Sequence, residues 1–127
     1  MRRKIITIAV VAMLLVLLGV VEQISVRRIT DSALGQTEAI GHAIRERKLE
    51  AAKEKAHALD EAWDRQAKWL EILVDHGSTD DVRYALSRLL AALEAKDEAS
   101  ALIYAGELEG SVEHVLERQA VTIENLL

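Results

Sequence analysis

The stretch IITIAVVAMLLVLLGVV, residues 5–21, contains no charge and no proline, and Thr7 carries its only hydroxyl group. As a helix rising about 1.5 Å per residue it is about 25 Å long, slightly less than the roughly 30 Å hydrocarbon core of a bilayer. The basic residues 2–4 before it, and the arginines 27–28 beyond it, can extend their side chains to the two interfaces and make up the difference. The stretch therefore predicts a membrane-spanning helix.

Two other interpretations of residues 5–21 have to be weighed. A cleaved signal peptide has the same basic start and apolar centre, but it ends in small residues of the Ala-x-Ala type, whereas residues 18–23 are Leu-Gly-Val-Val-Glu-Gln. A core helix of a soluble protein is rarely apolar on every face. We therefore expect an uncleaved signal anchor in the cell membrane. The basic flank, residues 1–4, predicts a cytoplasmic N-terminus and a C-terminal domain outside, although the arginines 27–28 reduce this contrast.

The rest of the 127-residue chain is long enough for one small domain. The absence of proline, together with abundant alanine, leucine, glutamate and lysine, favours long helices and an all-α fold. The chain has no cysteine, which excludes disulfides and thiolate metal sites. Three of the 16 basic residues precede the apolar stretch. The part of the chain after it therefore contains 13 basic and 21 acidic residues, which gives it a net charge of −8. Such a domain should repel nucleic acid and bare anionic lipid, so no nucleic-acid partner is expected.

The spacing of apolar residues divides the remainder into a stalk and a bundle. Residues 22–47 carry apolar side chains at helical spacing and are expected to continue the membrane helix outward as a stalk. From Leu49 a second apolar stripe begins, rotated by about 100° from the first, so one straight helix could not aim both at the same core. We therefore expect a turn near residues 45–48 and an antiparallel bundle of three or four helices over residues 48–127.

Two further boundaries are predicted within the bundle. In DHGSTDD, residues 75–81, Gly77 suits the left-handed position after a helix and Ser78 or Thr79 suits an N-cap. Asp97 is a second N-cap candidate. The spacing Ala-x3-Ala-x2-Leu-x3 that begins at residue 52 recurs 49 residues later, at residue 101. This repeat is a weak indication of tetratricopeptide-like hairpins, and ordinary core faces of a small bundle explain it better.

Few residues point to chemistry. His76 and His114, with the carboxylates of residues 75, 80 and 81, could bind zinc or act as a general base if the two histidines lie within about 10 Å of each other. No phosphate loop, nucleophile motif or metal-ligand spacing is present, so we expect no catalytic, cofactor-binding or metal site and no enzyme. Trp63 lies in the centre of its stripe and is expected in the core. Trp69 lies about 120° from that stripe, so it either packs within the domain, the favoured interpretation, or offers a surface to a partner.

The order of several short motifs resembles a known family. They are Trp63-x5-Trp69-Leu70, Leu73-Val74-Asp75-His76, Leu86-Ser87-Arg88-Leu89, Glu113-His114-Val115 and Thr122-Ile123-Glu124-Asn125-Leu126-Leu127. Together they resemble domain of unknown function 4363, a family of small bacterial membrane-anchored proteins, over essentially the whole chain. The chain departs from the family pattern at Arg47-Lys48-Leu49-Glu50. The resemblance implies a bitopic helical protein without an established activity, and a multi-pass membrane protein as a partner.

The sequence therefore predicts a non-enzymatic, single-pass membrane protein with a helical extracytoplasmic domain. Its expected role is that of an interaction or accessory module in an envelope membrane complex, anchored in the lipid bilayer and bound to a membrane-protein partner or to further copies of itself. The alternative is an extracytoplasmic sensor, in which a small ligand or metal binds between the helices. Trp69, His76 and His114 are the candidate site residues for these two functions.

Overall fold

The computed structural model describes the backbone of residues 1–73 and 76–126, and the side chains of residues 1–72 and 77–118. Over these ranges the chain consists of α-helices joined by short turns. It forms α1 (Arg2–Arg45), α2 (Leu49–Leu73), α3 (His76–Glu94) and α4 (Glu98–Leu126). The predicted all-α class is confirmed.

The first helix has two different halves. Every residue from 1 to 21 is exposed, and the apolar run is long enough for a bilayer crossing. From Val26 to Ile44 one face of the same helix is buried. Since α1 is continuous over 44 residues, its apolar half and its buried half form one rod.

The four helices share one core. Each helix contacts the next along the chain, and α4 also contacts α1, so short connections arrange them alternately up and down in a ring. The fully buried large side chains are those of Val26, Ile40, Ile44, Leu59, Trp63, Leu70, Val82, Leu86, Leu89, Leu108, Val112 and Val115. These side chains belong to the apolar stripes of the sequence, so helical periodicity alone locates the core.

The segment predicted as a stalk supplies one of these four helices. Val26, Ala33, Ile40 and Ile44 are buried in the same cluster as the core residues of α2, α3 and α4. The stripe that begins at residue 26 therefore faces the bundle, and the boundary between a stalk at 22–47 and a bundle at 48–127 does not coincide with a change in packing. The physical reason is that the turn at 46–48 folds α2 back along α1, which gives both stripes a common core.

The turn after α1 lies where the change of stripe predicted it. Arg47 is left-handed, with φ 61°, and its N–H donates to the Ile44 carbonyl at 3.0 Å. The N–H of Lys48 donates to the Ala43 carbonyl at 2.9 Å. This pair of hydrogen bonds is the Schellman motif, which satisfies carbonyls that a helix end would otherwise leave free.

The turn after α3 repeats the same geometry. Lys96 has φ 56° and donates to the Leu93 carbonyl at 3.1 Å, and Asp97 donates to the Ala92 carbonyl at 2.9 Å. Each of these positions lies 49 residues after its counterpart in the first turn, which is the offset of the sequence repeat. The α1–α2 and α3–α4 hairpins thus share their turn geometry as well as their core spacing. The correspondence does not establish tetratricopeptide-like hairpins, which stay a prediction.

The connection between α2 and α3 differs from the expectation. Because α3 begins at His76, Gly77 lies in its first turn instead of marking the end of a helix. Ser78 and Thr79 are buried inside the helix instead of capping it. The reason is packing: the Trp63 indole Nε1 donates to the Thr79 carbonyl oxygen at 3.4 Å, which draws this segment against α2.

The start and course of α4 agree with the sequence pattern. Asp97 caps it, since its Oδ1 accepts the Ser100 backbone N–H at 3.1 Å. The helix is continuous from Glu98 to Leu126. The side chains of Ile123, Leu126 and Leu127, which belong to the C-terminal motif, lie outside the described residues.

Candidate functional site

A polar groove lies between α3 and α4, with a volume of about 500 Å³. We call it the α3–α4 groove. Outward positions of α3 supply Asp81, Tyr84 and Arg88, and α4 supplies Glu107, Gly110, Ser111 and His114. The spacing of three and four residues places each set on one helix face, and the small residues 110 and 111 leave room between the two helices.

The charges of this groove are already partly paired. The Arg88 Nε lies 3.5 Å from the Glu107 Oε2 across the two helices. The His114 Nδ1 lies 3.8 Å from the Glu117 Oε2, and the Arg118 Nε donates to the His114 Nε2 at 3.4 Å. Both imidazole nitrogens of His114 therefore face neighbours on its own helix. The groove offers positive and negative groups side by side, an arrangement that suits a small zwitterion.

The predicted histidine cluster is described only in part. Asp81 and His114 line the same groove. The helix α3 begins at the backbone of His76, but the side chain of His76, and with it the predicted encounter with His114, lies outside the described residues. Within the described part of the chain, no group of three or more histidines and carboxylates is placed to hold a metal ion.

A second groove lies where α1 leaves its apolar half. It has a volume of about 680 Å³, and Trp69 of α2 forms one wall. The opposite wall is α1, which presents the apolar Leu18, Val21 and Ile29 together with the polar Glu22, Ser25 and Arg28. We call this the membrane-side groove, since it continues directly from the apolar stretch.

Trp69 is exposed, which overturns the favoured interpretation that it packs within the domain. Its side chain is 67 % exposed, and Ile72 beside it is also at the surface. The core stripe of α2 passes through Trp63, Ala67 and Leu70, so residue 69 lies on the flank of the helix. Its role in an interaction stays a prediction, now with a defined groove around it.

The partners of Trp69 in this groove were missed at the sequence level. The signal that could have found them is the register of the hairpin. In an antiparallel pair, residues equally distant from the turn lie opposite each other, and Trp69 and Ser25 are each 22 residues from Arg47. The predicted turn at residues 45–48 already implied that Trp69 faces the end of the apolar stretch.

The fold and its grooves define a class: an all-helical chain in which one long N-terminal helix, apolar enough to cross a membrane, also forms part of a four-helix domain. The profile of one family, domain of unknown function 4363, matches residues 20–126. The chain belongs to this family, as its motifs suggested. No curated protein and no solved structure matches it.

Proposed function

We propose that this protein is a single-pass membrane protein whose helical domain, held at the bilayer surface, serves as a non-enzymatic interaction or accessory module of an envelope membrane complex. One observation carries the proposal. The helix that buries one face of residues 26–44 in the domain core is the same continuous helix that exposes the 17-residue stretch at positions 5–21, which is apolar apart from Thr7.

An exposed apolar surface of this size needs a partner. The hydrophobic effect contributes about 25 cal/mol for each Å² of apolar surface removed from water, so a whole helix of such side chains is unstable in water. A bilayer covers the surface on all sides, which suits a stretch with no polar face. The interior of the bundle supports a structural role, because its buried polar side chains within the described ranges are only serine and threonine.

The orientation in this proposal follows from charge. The basic flank at residues 2–4 places the N-terminus in the cytoplasm and the helical domain outside. A C-terminal alkaline phosphatase fusion should therefore be active, and a fluorescent reporter that matures only in the cytoplasm should stay dark at the same position. The reverse pattern would overturn the orientation and leave the anchor itself intact.

Membrane anchoring is tested with a charge in the middle of the apolar stretch. An arginine at the centre of a spanning helix costs about 2.5 to 3.5 kcal/mol of insertion free energy. Leu14→Arg should therefore shift protein from the carbonate-resistant membrane fraction to the soluble fraction. Ile103→Arg is the matched control, since it adds the same charge at an exposed position of α4. Equal fractionation of the two variants would contradict the proposed span.

The accessory role is tested by cross-linking in intact membranes with identification of the adducts. A hetero-complex predicts recovery of a membrane protein in stoichiometric yield. Recovery of self-adducts alone would exclude the hetero-complex and favour a homo-oligomer.

A second candidate function is binding of a small ligand outside the cell, and the α3–α4 groove favours it. The groove pairs Arg88 with Glu107 and leaves room beside Ser111, an arrangement that suits an amine and a carboxylate on one molecule. Amino acids are suitable probes, because a ligand that binds only the folded state raises the Tm by mass action. An increase that Arg88→Ala abolishes and Arg65→Ala retains would support a sensor. No increase with any of the amino acids would contradict this zwitterion site.

A further inference from the structure

We propose that the membrane-side groove binds one phospholipid of the bilayer that α1 crosses, with the phosphate at Arg28 and an acyl chain along Leu18 and Val21 beneath Trp69. This inference rests on the proposed function, since it requires residues 5–21 to lie in a bilayer. It adds a specific lipid site to a generic anchor.

The depth of the groove fits the headgroup layer. A hydrocarbon core of about 30 Å needs about 20 helical residues, so a span that begins at Ile5 leaves the core near Ile24. Arg28 is four residues further along and hence about 6 Å above that plane, within the interfacial layer of a bilayer. Leu18 and Val21 lie below the plane, among acyl chains. The groove therefore crosses the boundary between chains and headgroups.

The apolar part of the groove lacks cover from within the chain. Trp69 is 67 % exposed and Ile72 is 76 % exposed, although both are large apolar side chains. Tryptophan is enriched at membrane interfaces because one edge of the indole is apolar and its N–H seeks a polar partner. Because the wall opposite Trp69 includes Leu18 and Val21 of the apolar stretch, the groove is continuous with the surface that lipid covers.

The charge of the domain favours a zwitterionic headgroup. Arg28 lines the groove above the plane, so its guanidinium is available for the phosphate of one lipid. An anionic headgroup would be repelled by the domain, because 13 basic and 21 acidic side chains follow the apolar stretch.

The decisive experiment is photo-crosslinking in vesicles of phosphatidylethanolamine, with a benzophenone amino acid in place of Trp69. We expect an adduct of the mass of one phospholipid. The matched control carries the probe at Ile103, which is 62 % exposed but lies near the opposite end of the bundle, and should give no lipid adduct. A lipid adduct at both positions, or a protein adduct in place of lipid at position 69, would overturn the proposal.

The polar contacts are tested with single substitutions in the probe-bearing protein. Arg28→Gln should reduce the lipid adduct several-fold, whereas Arg27→Gln, an exposed neighbour outside the groove, should not. Exchange of phosphatidylethanolamine for phosphatidylglycerol should also reduce the yield, because the domain carries a net negative charge beyond the apolar stretch. Equal yields from Arg28→Gln and Arg27→Gln would overturn the assigned site.

Failure of this proposal can be told apart from failure of the anchor. Every sample is first tested for resistance to carbonate extraction. Resistant protein without a lipid adduct overturns the lipid site and leaves the membrane span intact, whereas extractable protein overturns the proposed function from which the inference starts.

Discussion

At the scale of single residues, the two tryptophans of α2 have opposite surroundings. Trp63 is 1 % exposed and donates its indole N–H to the Thr79 carbonyl, whereas Trp69 is largely exposed. Truncation of a buried aromatic side chain removes its burial and leaves a cavity, so Trp63→Ala should lower the free energy of unfolding by about 3–5 kcal/mol. Trp69→Ala should change it by less than about 0.5 kcal/mol. Urea unfolding in detergent, followed by circular dichroism, measures both, and similar losses would contradict the exposed position of Trp69.

The N-cap of α4 gives a pH-dependent prediction. Asp97 accepts hydrogen bonds from the hydroxyl group of Ser100 at 2.7 Å and from its backbone N–H at 3.1 Å, and these hold the pKa of Asp97 below its usual value of 3.8. Because the folded pKa is the lower one, this stabilisation is present above about pH 3.8 and is lost as the pH falls through the folded value. Asp97→Ala should therefore lower the Tm at neutral pH.

The matched variant for this cap is Asp97→Asn, which can still accept the backbone hydrogen bond but does not titrate. At neutral pH the Tm of Asp97→Asn should be close to that of the wild type. As the pH is lowered, the Tm of Asp97→Asn should fall less than that of the wild type. Thermal unfolding at a series of pH values from neutral to about 2 makes the comparison. An identical decrease in Tm on acidification in the wild type and in Asp97→Asn would show that other carboxylates account for this decrease.

At the scale of helices and turns, the two Schellman motifs carry strained residues. Arg47 and Lys96 have φ values of 61° and 56°, a conformation that costs an L-residue roughly 1–2 kcal/mol and glycine almost nothing. The greater freedom of glycine in the unfolded chain offsets part of this gain. We therefore expect Arg47→Gly and Lys96→Gly each to raise the free energy of unfolding by about 0.5–1 kcal/mol.

Chemical denaturation measures these effects, with Ala95→Gly as the control. Ala95 lies one position before the left-handed residue and does not itself have a positive φ, so glycine there only adds freedom to the unfolded chain. The free energy of unfolding of the Ala95→Gly variant should therefore be lower than that of the wild type. Stabilisation by all three substitutions, or by none, would contradict the assignment of strain to residues 47 and 96.

The helices were predictable from the sequence to different degrees. The turn at 46–48 follows from the rotation of the apolar stripe, and Asp97 follows from its capping chemistry. The left-handed residues could not be predicted, because arginine and lysine have no preference for positive φ, and the hairpin geometry places them there. The start of α3 was misplaced because Gly77, Ser78 and Thr79 match cap chemistry, while packing against Trp63 draws them into the helix.

At the scale of the whole molecule, the packing and register of the four helices determine which side chains line the candidate site, more than the residue types do. Helical spacing placed Trp69 off the core stripe, but its exposure depends on which flanks of α2 the other helices cover. The position of Asp81 and His114 along one groove follows from an antiparallel α3–α4 pair, whereas the charge pair of Arg88 and Glu107 can be identified only once the register is known. Charges on neighbouring helix faces carry no sequence signal of their own.

Because α1 forms part of the helical bundle, we can predict how two truncated chains will fold. None of residues 1–21 is buried, so residues 22–127 should fold into a stable helical domain without the apolar stretch. Residues 48–127 should not, because they lack the buried Val26, Ile40 and Ile44. Each of these side chains contributes about 1.5–3 kcal/mol on burial, and their sum is comparable with the 5–15 kcal/mol net stability of a typical domain.

Thermal unfolding and two-dimensional NMR of the two fragments make this test. Residues 22–127 should give a cooperative transition and dispersed amide signals. Residues 48–127 should give a broad transition and collapsed signals, because removal of α1 exposes the apolar faces that α2 and α4 turn toward it. A cooperative fold of residues 48–127 would mean that the segment at 22–47 is a separable stalk. Failure of both fragments would mean that the bundle depends on the bilayer as well as on its own core.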